Sequence, residues 1–120
     1  MRAYDVFSSA LELHKSNQFS EAAKKYQAIY ADEQLFSQLV TKNQEAVVLN
    51  LSSLLRRDSL YDQAISLLKS SLVRSTNTSF SAAIHNNLGN CFRDKELWLA
   101  SVKHYRSSLS LEPYSPDARL

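Results

Sequence analysis

Four asparagines carry the most suggestive chemistry in this chain: Asn86, Asn87 and Asn90 within one short span, and Asn50 a repeat earlier. An Asn carboxamide offers one acceptor oxygen and two N–H donors, so it can pair with both the N–H and the C=O of a peptide backbone. Asn is also a poor helix former, so a helical stretch that keeps several of them gives up propensity for some other purpose. The groups that nucleophilic or acid–base catalysis would need are present but not assembled. His14, His85 and His104 are scattered. Cys91 follows Leu88, Gly89 and Asn90 on an apolar stretch, where a lone Cys behaves as a small hydrophobe rather than a nucleophile. Glu21, Asp62 and Glu96 each fall near the start of a helix, where a carboxylate complements the helix dipole. The sequence therefore reads as a binding protein rather than an enzyme, with no cofactor and no metal.

Composition narrows the class. The 120 residues are 44% hydrophobic and 22% charged, with one Gly, two Pro and one Cys. One Gly cannot furnish a glycine-rich phosphate loop. One Cys excludes a disulfide framework and a Cys-based zinc site. The scarcity of turn residues argues against a sandwich or barrel. Fourteen basic against twelve acidic residues give a net charge of +2, too small to point to nucleic acid or to a membrane surface. The start, Met1 to Phe7, lacks the apolar core of a signal peptide. The most apolar stretch, Ala46–Leu55, is too short to span a bilayer. These features place the chain in the cytoplasm, as a single domain over residues 1–120.

The elements that must position the asparagines are helices. Apolar residues recur three and four apart, as one face of a helix requires. Phe19, Ala22, Ala23, Tyr26, Ile29 and Tyr30 make one stripe. Tyr61, Ala64, Ile65, Leu68 and Leu72 make a second, and Leu97, Ser101, Val102, Tyr105 and Leu109 a third. The breaks at 15–18, 56–59 and 93–96 are short and polar, as between antiparallel neighbours. The stretch 74–79 reads as a loop with capping chemistry for the helix that follows. Six helices in three hairpins are expected. Leu35, Phe36, Leu39 and Val40 keep helical spacing, which extends the first helix of the second hairpin to roughly 35–57, with a kink near Lys42-Asn43-Gln44.

A small residue recurs midway along each first helix and again 12 residues later: Ala10 and Ala22, Ser52 and Ala64, Gly89 and Ser101. Two helices of a hairpin approach closely only where side chains are small. In the last hairpin, His85-x-x-Leu88-Gly89-x-x-Phe92, then Ser101-x-x-x-Tyr105, then Pro113 resembles the tetratricopeptide repeat, whose spacing is W-x-x-L-G-x-x-Y, A-x-x-x-F, P. The second hairpin matches through Val48, Leu51, Ser52, Leu55, Ala64 and Leu68, and the first through Val6, Ala10, Leu13, Ala22 and Tyr26. The period departs from 34 residues, with 42 from Ala22 to Ala64 and 37 from Ala64 to Ser101. The resemblance implies an all-α fold. Three hairpins, at about 3–36, 45–78 and 82–115, would form a short right-handed solenoid, with a fourth repeat starting at 116–120. No polar capping helix follows. An uncapped C-terminal end of this kind suits either the excised beginning of a longer protein or self-association.

In that family the first helices line a concave groove. The resemblance places Asn50 and Asn87 at equivalent groove slots, two residues before the small residue, with Asn90 on the same face and Asn86 at its edge. Asparagine ladders of this kind hold an extended peptide in the repeat region of O-linked N-acetylglucosamine transferases. His14, Arg56 and Arg93 each stand four residues after the small residue, and Lys15, Arg57 and Asp94 one further. Such a column suits either an acidic segment or the negative ends of the helices. The family's two-carboxylate clamp is not matched, since its third-repeat slots hold Ala83 and Asn87. Tyr4, Phe7 and Leu11 instead give the groove an apolar end. The expected function is a protein-interaction module, an adaptor or scaffold that takes a protein or peptide partner. The alternative is the amino-terminal accessory region of a larger glycosyltransferase or methyltransferase that positions a protein substrate.

Overall fold

The computed structural model describes residues 2–112. Pro113 and the fourth-repeat start read at 116–120 lie outside them. Among the described residues the chain is entirely helical: α1 (Ala3–Lys15), α2 (Phe19–Ala31), α3 (Glu33–Gln38), α4 (Thr41–Arg57), α5 (Tyr61–Arg74), α6 (Thr78–Asp94) and α7 (Trp98–Leu111). None of these is long and apolar enough to cross a membrane. The helices pair in chain order as α1/α2, α4/α5 and α6/α7. Each pair also touches the next, through α2 on α4, α4 on α6 and α5 on α6. The resulting body measures 42 × 28 × 22 Å.

The three pairs close with the same turn. Asn17, Ser59 and Glu96 all take positive φ, at 62°, 61° and 61°. Each stands seven residues after the small residue of its first helix. The following amide reaches back to the helix in the same way each time: Gln18 N–H to the Leu13 carbonyl, Leu60 to Leu55, and Leu97 to Phe92. This is the left-handed helix terminus that glycine usually supplies. Here three non-glycine residues supply it, and only Asn17 is of a type that tolerates it well.

The small residues are all interior. Ala10, Ala22, Ala64 and Ser52 are buried, as are Gly89 and Ser101. In the third pair Ser101 Oγ donates to the Gly89 carbonyl at 2.9 Å, and Ser108 Oγ to the Ala82 carbonyl at 2.7 Å. Tyr26, Ile29, Val47, Leu51, Leu68, Ile84 and Leu88 are fully buried, and each of the aliphatic ones contributes about 1.5–3 kcal/mol of transfer free energy. The loop before α6 behaves as its residue types demand. Asn77 Oδ1 accepts from the Ser79 and Phe80 amides and caps the helix.

The second pair departs from expectation. A single helix over 35–57, kinked near 42–44, is replaced by two helices broken at Leu39 and Val40, both extended (ψ 144° and 155°). α3 packs against α1 and α2, whereas α4 packs against α2, α5 and α6. One straight helix cannot lie along both sets. The break also carries Leu39 into the core. Asp32 caps α3 through the Gln34 and Leu35 amides, and Gln44 Nε2 donates across the break to the Phe36 carbonyl at 2.9 Å. There are therefore seven helices among the described residues rather than six.

Candidate functional site

The asparagines lie half-buried on two helices in contact, α4 and α6. Their carboxamides are only partly engaged. Asn50 Nδ2 donates to the Tyr26 hydroxyl at 3.2 Å. Tyr26 is buried in α2, so this bond ties the first pair to the second. The same hydroxyl lies 3.4 Å from His14 Nδ1, and burial raises its pKa above the usual tyrosine value. Asn87 Nδ2 donates to the Ala83 carbonyl one turn earlier in its own helix. Asn90 Oδ1 accepts from the Tyr105 hydroxyl, bridging α6 to α7. Asn86 makes no hydrogen bond to the described residues through its side chain. Asn50 and Asn87 thus each spend one N–H on the fold and keep the carboxamide oxygen, whereas Asn90 spends the oxygen.

The apolar end is different in kind. Phe7 is 4% exposed and packs edge-on against Tyr26, with Tyr4 beside it. It belongs to the core. Leu11 is half-buried against the same cluster, and Tyr4 alone of the three is well exposed. The basic column is mostly occupied within the protein. Arg56 Nη1 pairs with Asp94 Oδ2 at 2.8 Å, across α4 and α6. Its Nε is buried with no partner among the described residues. Arg57 stacks over the Phe19 ring at 4.1 Å, and His14 meets Phe19 edge-on. Arg93 remains exposed, with only a 3.8 Å contact to its neighbour Asp94.

One cluster has no counterpart in the sequence reading. His104 is half-buried, with its ring stacked on Phe92 at 5.3 Å and 8°. Its Nδ1 lies 3.0 Å from His85 Nδ1, so one imidazole donates to the other. Lys69 Nζ lies over the Phe92 ring, 5.8 Å from its centroid. Burial lowers the pKa of both imidazoles. For His104, the neighbouring His85, Lys69 and Lys103 charges lower it further. Two residues 19 apart on different helices leave no local spacing signal. Cys91 is buried, and burial pushes its thiol up to about 11. At neutral pH it is a protonated thiol and not a nucleophile. No group of three His, Cys, Asp or Glu side chains suited to a metal ion occurs among the described residues. No family model matches this chain, and no curated protein matches it.

Proposed function

We propose that this chain is a protein-interaction module, a short right-handed solenoid of three tetratricopeptide-like hairpins that binds an extended peptide along the face carrying Asn50 and Asn87. The observation that carries the reading is that each of these two residues stands two positions before the small residue of its helix, on α4 and α6, which are in contact. Each has one N–H committed to the fold and its oxygen open. A carboxamide oriented by an internal hydrogen bond has lost little further entropy when a peptide N–H arrives, which favours binding. The architecture is supported by the turn repeated at Asn17, Ser59 and Glu96. In this role the protein is an adaptor whose partner is a protein segment, and Asn90 and Arg56 stiffen the walls rather than touch the ligand.

The test begins with a random peptide library displayed on phage and selected against the whole chain. The strongest binder is mapped by amide chemical shifts. The expected result is perturbation centred on Asn50, Asn86 and Asn87, with Asn87→Ala weakening the selected peptide by about 1–3 kcal/mol through loss of a buried polar partner. The thermal midpoint of that variant should be unchanged. Shifts confined to other helices, or an Asn87→Ala variant of full affinity, would overturn the assignment.

A further inference from the structure

The three pairs are alike enough to show what each face does when it is covered. Val102 and Leu109 on α7 stand at the positions of Ile65 and Leu72 on α5. The third pair follows α5, and there Ile65 is 9% exposed and Leu72 packs on the core. Nothing among the described residues follows α7, and there Val102 is 44% and Leu99 90% exposed. Between α7 and His85 of α6 runs an open groove lined by Leu99, Val102, Lys103, Arg106 and Leu111. The corresponding side of the second pair is filled by α6, which touches both α4 and α5.

The charges specify what would fill it. Arg56, in the last turn of α4, is met by Asp94, at the end of the incoming α6. Arg93 is the same position one repeat on and is 48% exposed. Lys103 and Arg106 add two exposed cations along the groove. A second copy docking through α1 would bring Lys15, the counterpart of Asp94, against Arg93. Like charges so placed disfavour that pairing.

We propose that the α6/α7 groove is a second docking surface, which takes an amphipathic helix of a protein partner: apolar along the face that meets Val102 and Leu99, and acidic in its last turn where it meets Arg93. The surface is distinct from the Asn50/Asn87 face.

Two synthetic helical peptides test it, identical in a Leu/Ala stripe and lacking Trp, one with Glu and the other with Lys in its final turn. Trp98, the chain's one tryptophan, adjoins Leu99 and is exposed, so its emission reports docking. The whole chain should bind the Glu peptide at least about tenfold more tightly than the Lys peptide. Arg93→Glu should reverse that order. Val102→Glu, a change at an exposed site, should abolish binding of both peptides while leaving the circular dichroism melt in place. Equal affinity for the two peptides, no binding of either, or full binding by Val102→Glu would overturn the proposal. Sedimentation velocity supplies a last arm. A dimer that Val102→Glu dissolves would assign the groove to a second copy and overturn the proposal too.

Discussion

Gly89→Ala isolates the contact on which the third helix pair depends. A Cβ built at Gly89 would lie 2.6, 2.7 and 3.0 Å from three atoms of the Tyr105 ring, Cε1, Cδ1 and Cζ. Carbon atoms pack at about 3.5–4.0 Å, so the ring would have to retreat by about 1 Å. It has little room to do so, because Tyr105 is buried and its hydroxyl is held by Asn90. Moving α7 outward instead would stretch the Ser101 bond to the Gly89 carbonyl. Overpacking of this kind costs about 1–3 kcal/mol. The direct clash with a rigid ring favours the upper part of that range. Against it stands the helix propensity of Ala over Gly, about 1 kcal/mol. The net expectation is a loss of about 1–2 kcal/mol, measured by urea unfolding followed at 222 nm. The decisive control is the same change in a Tyr105→Ala background. There the obstacle is gone, only the propensity gain remains, and Gly89→Ala should stabilise by about 1 kcal/mol. The reasoning fails if Gly89→Ala stabilises the native chain, or if its sign is the same in both backgrounds.

Two further outcomes follow from the turns and the imidazoles. Glu96→Gly relieves the steric cost of a left-handed conformation that a non-glycine residue resists, and should raise stability by about 0.5–1 kcal/mol in urea unfolding. Asn17→Gly should gain less, because Asn already accepts that region. His85 and His104 have lowered pKa values when folded, so below the ordinary histidine value of about 6.5 the unfolded chain binds more protons than the folded one. Their contribution is fully present above about pH 6.5 and is lost as pH falls through the folded values. The urea midpoint should therefore rise from pH 5 to about 6.5 and then level off. In a His85→Phe, His104→Leu variant that slope should flatten, and an unchanged slope would remove the imidazoles as its cause.

The asparagines and Phe7 show how far residue types carry a reading. Asn50 and Asn87 were found from their offset to a small residue, and they do occupy adjacent helices. The offset says nothing of what their amides bond, because the Tyr26 hydroxyl that takes Asn50 comes from a helix 24 residues away. Phe7 shows the same gap from the other side. Its position on α1 suits a groove wall, but its fate was decided by Tyr26 on α2, which it meets edge-on.

Local rules were enough for most helix limits. The three polar breaks fall at the turns, and Asn77 caps the helix after its loop, because a backbone amide near a short polar side chain needs no distant help. Local rules failed at Leu39 and Val40, where helical spacing continues but the chain does not. There the packing of α3 on α1 and α2 outweighs the propensity of two residues, since burying Leu39 is worth more than one continued turn. The sequence by itself determined that this protein is helical and where its small residues and its asparagines lie. Those are properties of periodicity and of single residues. Only the tertiary structure decided which cations are already paired, that His85 and His104 meet, and that among the described residues no helix covers the apolar, basic face of α7. Each of those depends on which helix arrives beside another, and no spacing within one helix encodes it.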